Sequence, residues 1–198
     1  NGAVTSGTIA HGDTDMWTVD GMLSFDGFQW DSGPVPVVLG FEYRDLDYSQ
    51  GTDPLTQAGY VGWYTAPLIE SAGRQVTTAY AEALLPLGSQ VELNLALRYD
   101  HYSDFGSTTN PKVSLAWRPG QAWLLRGTWG TGFKAPNMIE LFAPRTRGTA
   151  DAVDYVGCAN GVAPCQRWQY FVYNGGNPDL EPHDSKSWTA GVVWNATD

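Results

Sequence analysis

Basic residues, and charged residues in general, are scarce in this sequence. Lys and Arg number 11 against 21 Asp and Glu, so the formal net charge is −10. This balance argues against a nucleic-acid partner, because phosphates need a basic partner surface. Charged residues make up only 16% of the chain, which is low for a soluble protein, whereas aromatic residues reach 13%. A surface that faces lipid in part is consistent with this composition.

Long hydrophobic runs are missing as well. No run of about 18 apolar residues occurs in the chain, which excludes a transmembrane helix. Apolar and polar residues alternate instead, most clearly in Gln90–Tyr99. Because side chains along a strand point alternately to its two faces, this segment has one apolar face and one polar face. The apolar face consists of Val91, Leu93, Leu95, Leu97 and Tyr99.

The same alternation recurs around Lys112–Arg118 and Ser187–Asn195. A polar face with Glu, Arg and Lys, repeated from strand to strand, favours a water-filled lumen over the core of a sandwich. Several aromatic residues lie near the predicted strand ends, where membrane barrels carry girdles at the lipid interfaces. These residues are Trp17, Tyr43, Tyr99, Trp117, Trp129, Trp188 and Trp194.

Turn signals divide the chain into about seven strands. Short connections at 30–34, 87–89 and 119–121 alternate with longer ones at 48–74, 101–108 and 132–184, a pattern typical of bacterial outer-membrane barrels. The sequence therefore predicts an all-β fold: an antiparallel transmembrane β-barrel segment with long extracellular loops. Because an odd number of strands leaves both edges unpaired, we expect a part of a larger barrel. The predicted strands are 14–29, 35–47, 75–86, 90–100, 109–118, 122–131 and 185–195.

One predicted strand, around Val76–Leu85, allows two orientations. Either Ala79, Ala81 and Ala83 face lipid while Glu82 faces the lumen, or the reverse. The first orientation is preferred, because a carboxylate that faces lipid near the midplane is costly.

Two motifs in the second half of the chain point to a known family. Gly130–Phe142 reads GTGFKAPNMIELF, and Asn177–Ser185 reads NPDLEPHDS. Together they resemble the barrel of TonB-dependent outer-membrane receptors, in which a strand ending in Gly-Phe-Lys/Arg-Ala-Pro is followed by Asn-Pro-x-Leu-x-Pro-Glu-x-Ser. His183 departs from this pattern, which usually has Glu there. The resemblance extends to Gly40–Arg44 and Arg98–Asp100 and thus covers most of the chain.

The resemblance implies active uptake of a scarce nutrient across the outer membrane of a Gram-negative bacterium. Members of the family have a barrel of about 22 strands closed by an N-terminal plug. We expect residues 1–198 to be part of that barrel domain, with the plug and the remaining strands absent. The expected partners are outer-membrane lipid, a small-molecule nutrient and, through the plug, the inner-membrane TonB energy-transducing complex. The nutrient could be a ferric siderophore, haem, cobalamin or an oligosaccharide.

Two other classes remain open at this point. A passive porin-like channel barrel has the same strand chemistry but needs no plug, and a soluble all-β sugar-binding domain would also use exposed aromatic residues. We expect no enzymatic activity, cofactor or metal site. The sequence contains no Gly-x-Ser-x-Gly elbow, no phosphate-binding loop and no His-Glu-x-x-His motif.

The longest predicted loop contains the candidate ligand contacts. Its two cysteines, Cys158 and Cys165, are expected to form a disulfide in an exported protein. Aromatic and basic residues in this loop could form a stacking platform for a sugar or an aromatic siderophore and attract an anion. The alternative, packing between loops above the barrel rim, is the preferred interpretation at this point. The candidates are Arg145, Arg147, Arg167, Trp168, Tyr170, Phe171 and Tyr173.

Acidic residues at the predicted strand ends form two further groups. Asp45, Asp47 and Asp53 form one, and Asp100 and Asp104 form the other. Neither group has the spacing of a known calcium loop, so we expect a solvated acidic rim.

Overall fold

A computed structural model describes residues 10–57, 71–161 and 165–196, with the side chains of all but residues 56 and 57. Within these ranges, seven strands form one sheet in the order β1-β2-β3-β4-β5-β6-β9. The strands of this sheet are β1 (Ala10–Trp30), β2 (Gly33–Thr52), β3 (Ala72–Pro86), β4 (Val91–Tyr102), β5 (Gly106–Gly120), β6 (Trp123–Lys134) and β9 (His183–Trp194). Two more strands, β7 (Thr146–Ala152) and β8 (Trp168–Asn174), form a separate hairpin.

The seven predicted strands are confirmed, and each is longer than predicted at one or both ends. The consequence is largest at the connection between β4 and β5, predicted as 101–108, which spans only Ser103–Phe105. The prediction of a longer loop there was wrong, because the backbone ladder continues beyond the apolar band and needs no apolar side chains. Gly106 has a φ of +103°, a conformation that favours glycine, where the chain turns back.

The register between β3 and β4 confirms the preferred orientation of β3. Ala81 lies opposite Leu97, and Glu82 lies opposite Ala96. Residues directly opposite each other share a face of the sheet, so the three alanines belong to the apolar face. On the polar face, Asn94 Nδ2 donates a hydrogen bond of 2.6 Å to Glu82 Oε1.

The apolar face continues across the sheet to the last strand. Val113 lies opposite Trp129, and Trp129 lies opposite Trp188. These side chains are largely exposed, with Trp188 79% accessible. At the turn end of the sheet, where β5 and β6 connect, the rings of Trp123 and Trp194 stack with centroids 5.9 Å apart. A continuous exposed apolar face with aromatic residues is typical of a wall in contact with lipid.

The chain forms two compact units. One contains Thr14–Asp47, Gly73–Pro136 and Leu180–Asp198, and the other contains Asn1–Asp13, Tyr48–Ala72 and Asn137–Asp179. The β7–β8 hairpin belongs to the second unit, together with α1 (Pro54–Gln57), α2 (Met138–Phe142) and α3 (Tyr155–Ala159). In the described ranges, no helix has the length and apolarity needed to cross a membrane.

Candidate functional site

The β7–β8 hairpin places two arginines over two aromatic rings. Arg147 lies opposite Tyr173 in the hairpin register, and Thr149 lies opposite Phe171. The Cζ atom of Arg145 lies 4.4 Å from the ring centroid of Tyr173, and the Cζ atom of Arg147 lies 4.3 Å from that of Phe171. Both distances are well within the range of cation–π contacts. We call Arg145, Arg147, Phe171 and Tyr173 the cation–aromatic face.

The charge of this face is not neutralised locally. In the part of the chain that the structure describes, no carboxylate lies within 4.0 Å of the guanidinium nitrogens of Arg145 or Arg147, and both residues are exposed. A stacked guanidinium uses one planar surface for the ring and keeps its N–H edge for hydrogen bonds. The face can therefore bind an anion with fixed donors and stack on a flat ligand.

The other predicted ligand contacts lie elsewhere. Trp168 and Tyr170 lie opposite Ala152 and Ala150, on the other face of the hairpin. Arg167 is exposed and precedes β8. The predicted platform is thus divided by the alternation of side chains along β8. Sequence reasoning grouped these residues by proximity along the chain and missed the hairpin, because Thr146–Ala152 has no alternating apolar pattern.

The predicted disulfide is present between Cys158 and Cys165, whose Cα atoms lie 4.9 Å apart. Cys158 lies in α3, which begins after Asp154, and Asp154 Oδ1 accepts a hydrogen bond of 2.8 Å from the backbone N–H of Gly157. This acceptor satisfies one of the free donors at the start of the helix. The bond closes a small ring within the loop and stabilises that ring locally.

A buried ion pair holds the end of the Gly-Phe-Lys-Ala-Pro segment in place. Arg74 Nε donates to Asp104 Oδ2 at 2.7 Å, and Arg74 Nη2 donates to the carbonyl oxygen of Pro136 at 2.7 Å. The side chains of Arg74 and Asp104 are only 9% and 5% exposed. The guanidinium also lies 5.6 Å from the ring centroid of Tyr102 and 5.5 Å from that of Phe105. Arg74 thereby joins β3, the β4–β5 turn and the segment after β6.

A second carboxylate is buried on the polar face of the sheet. Asp100 is fully buried and accepts hydrogen bonds from Thr78 Oγ1 at 2.6 Å and from Arg98 Nη2 at 2.8 Å.

The expectation of a solvated acidic rim was wrong for Asp100 and Asp104. Asp100 is fully buried and the side chain of Asp104 is only 5% exposed. Each carboxylate is paired with an arginine, Arg98 or Arg74, which offsets the cost of removing its charge from water. Arg74 is 30 residues from Asp104 in sequence, so no spacing signal could have revealed this pair. Among the described residues, no group of three or more His, Cys, Asp or Glu side chains could hold a metal ion.

The two sequence motifs meet at helix α2. Asn137 and Glu140 form a capping box, in which each side chain accepts a 2.8 Å hydrogen bond from the backbone N–H of the other. The backbone N–H of Asn177 donates to the carbonyl oxygen of Glu140 at 2.8 Å, and that of Gly176 donates to Ala143 at 2.7 Å. Glu140 thus has a structural role, and the second motif begins where the loop returns to α2.

Comparison with known proteins is consistent with this architecture. Residues 1–198 match the family model described as TonB dependent receptor-like, beta-barrel. The chain is 31% identical over 99 residues to an iron-regulated outer membrane virulence protein of Vibrio cholerae. The aligned region covers 50% of this chain and 12% of that protein. It is 25% identical over 118 residues to a probable TonB-dependent siderophore receptor, PirA, of Acinetobacter baumannii. This aligned region covers 60% of this chain and 14% of that protein. The chain therefore spans only a small part of the length of these relatives.

Solved structures share the fold. The siderophore receptor PirA of Acinetobacter baumannii superposes with a TM-score of 0.65 at 19% identity, over 94% of this chain and 25% of that one. A mutant of the ferric enterobactin receptor of Pseudomonas aeruginosa, in complex with enterobactin, superposes with a TM-score of 0.69 at 20% identity. The superposition covers 93% of this chain and 25% of that one. At these identities the likeness establishes the fold alone.

Proposed function

Because the chain belongs to the family of TonB-dependent receptor-like β-barrels, we propose that it forms part of the wall and loops of a receptor that imports a ferric siderophore. Its location is the outer membrane of a Gram-negative bacterium, and its relatives are transport receptors. The proposed import requires the complete receptor, in which the plug would contact the inner-membrane TonB complex. The protein would move its ligand without chemically changing it.

The observation that carries this choice of ligand is the cation–aromatic face. An iron-loaded chelate with negative charge and flat aromatic groups needs both fixed cationic donors and stacking surfaces. Arg145 and Arg147 provide the first, and Phe171 and Tyr173 provide the second. The relatives, a probable siderophore receptor and an iron-regulated outer membrane protein, support the same class of ligand. Haem, cobalamin and oligosaccharides are the competing ligands.

The test uses the complete receptor with Arg145→Ala and Arg147→Ala combined. Binding of ferric enterobactin, haem, cobalamin and a maltodextrin would be measured by calorimetry, and uptake of radioactive iron would be measured in cells. We expect the double variant to bind the ferric chelate at least tenfold more weakly, since each charge-assisted contact contributes about 1.5–3 kcal/mol. Arg167→Ala is the matched control, because it removes an exposed arginine of the same loop outside the face.

Three results would contradict the proposal. One is unchanged binding of every ferric chelate in the double variant, and another is tight binding of the maltodextrin with no binding of the chelates. The third is uptake that continues when the membrane potential is collapsed, which would indicate a passive channel instead of an energised receptor.

A further inference from the structure

The second face of the β7–β8 hairpin carries two exposed aromatic rings. Trp168 lies opposite Ala152, and Tyr170 lies opposite Ala150. The two residues are 50% and 41% accessible, and among the described residues neither ring stacks on another ring or on a cation. Because the residues opposite them are alanines, the rings stand above a shallow floor. They form an open platform with about 7 Å between the two positions along β8.

This second face carries no charge. Among residues 146–152 and 168–174, all of which the structure describes, the charged residues are Arg147 and Asp151. The alternation of side chains along β7 places both on the opposite face. A charged ligand on the second face would lose hydration without gaining a partner, so this face suits an uncharged ligand. We call Trp168, Tyr170, Val172 and Asn174 the neutral face.

The neutral face leads to a cavity of about 370 Å³ at the base of the hairpin. Thr146 lies opposite Asn174, and both residues line the cavity together with Ile139. The walls are mostly apolar, and Asn137 and Glu140 of the α2 capping box add polar groups. Apolar walls with a few polar groups are the usual composition of a small-molecule site, and the volume is at the lower end of the range for such sites.

The dimensions of the neutral face limit the shape of its ligand. The strand spans about 20 Å from Trp168 to Asn174, so a ligand that contacts both rings and enters the cavity must be extended. A sugar ring has flat C–H surfaces that pack on an aromatic ring and a rim of hydroxyl groups that form hydrogen bonds. An apolar peptide would need side walls, which the alanines opposite the rings do not provide. An extended chain of sugar rings meets these requirements.

We propose that the neutral face and its cavity bind an uncharged, extended oligosaccharide. Trp168 and Tyr170 stack on two rings of the chain, and the side chain of Asn174 hydrogen-bonds to hydroxyl groups at the cavity. This site lies on the opposite face of the hairpin from the cation–aromatic face, so both sites can be occupied at once. The oligosaccharide is therefore a second ligand, bound independently of the imported chelate.

The test uses the complete receptor, purified in a detergent without a sugar headgroup, and calorimetric titration with cellohexaose and chitohexaose. We expect a hexasaccharide to bind to the wild type and to bind at least tenfold more weakly to Trp168→Leu combined with Tyr170→Leu. This variant keeps apolar side chains on the strand and removes the flat rings. Ala150→Lys, which fills the floor beside Tyr170, should weaken binding by a similar factor. Raising the salt concentration to about 0.5 M should leave the affinity unchanged, because an uncharged ligand forms no ion pair to screen.

Phe171→Ala is the matched control, because it removes a ring of the same strand from the opposite face. This variant should weaken binding of ferric enterobactin and leave hexasaccharide binding unchanged. The variant without the rings of Trp168 and Tyr170 should show the reverse. Its unchanged binding of the chelate would also show that the hairpin is still folded.

Several outcomes would overturn the proposal. Hexasaccharide binding as tight in the double variant and in Ala150→Lys as in the wild type would do so, as would an equal loss in Phe171→Ala. No binding of either hexasaccharide to the wild type would assign Trp168 and Tyr170 to packing between loops. Displacement of the hexasaccharide by saturating chelate would indicate a single shared site. Hexasaccharide binding without chelate binding would support the proposal and contradict only the proposed imported ligand.

Discussion

Replacing Arg74 by methionine would remove the cation from an ion pair that is buried on both sides. Asp104 would keep its carboxylate in a site where the side chain is 5% exposed, and Pro136 would lose the donor to its carbonyl oxygen. Breaking a buried pair by removing one partner typically costs about 3–5 kcal/mol, because the remaining charge stays buried and unpaired. Asp104 Oδ1 already has no hydrogen-bond partner among the described residues, so little local compensation exists. We expect a loss of about 3–5 kcal/mol in the free energy of unfolding.

Urea unfolding of the complete receptor in lipid vesicles, followed by tryptophan fluorescence, would measure this loss. Arg118→Met is the matched control, because Arg118 pairs with Glu92 at 3.1 Å while both side chains are nearly half exposed, at 48% and 46%. An exposed pair of this kind contributes about 0–1 kcal/mol. The double variant with Arg74→Met and Asp104→Leu should recover most of the lost stability, because it also removes the buried, unpaired carboxylate.

Two results would refute this reasoning. The first is a loss in Arg74→Met no larger than that in Arg118→Met, which would mean that water reaches Asp104. The second is a double variant as unstable as the single one, which would assign the loss to packing against the rings of Tyr102 and Phe105.

Two other predictions concern the wall and the loop. Ala81→Arg should destabilise the complete receptor by about 2–4 kcal/mol, because it places a cation on the lipid face. Ala96→Arg, on the polar face, should cost far less. Urea unfolding would measure both variants, and equal losses of stability would contradict the assigned faces. Replacing Cys158 and Cys165 by serine should remove about 2–3 kcal/mol of loop constraint, speed proteolytic cleavage of the loop and leave the unfolding midpoint of the barrel unchanged. A lowered midpoint would show that the disulfide stabilises the barrel itself.

Much of the sheet could be predicted from local pattern. Alternation with a period of two identified the seven strands and sorted their side chains onto two faces, since the period of a strand leaves no other arrangement. Even the ambiguous strand around Ala81 was oriented correctly, because a single carboxylate at Glu82 breaks the symmetry between its faces. The β7–β8 hairpin was missed because its first strand is polar and small on both faces.

The sequence by itself thus determined the class of fold, the lipid-facing residues and the family, because all three depend on residues close together in the chain. Only the tertiary structure decided which distant residues meet. The pairing of Arg74 with Asp104 and the division of the predicted platform between two faces of a hairpin both depend on strand register. Register depends on the geometry of the turns and on which faces of neighbouring strands match, so the side-chain pattern of one strand alone does not say which distant residues lie opposite it.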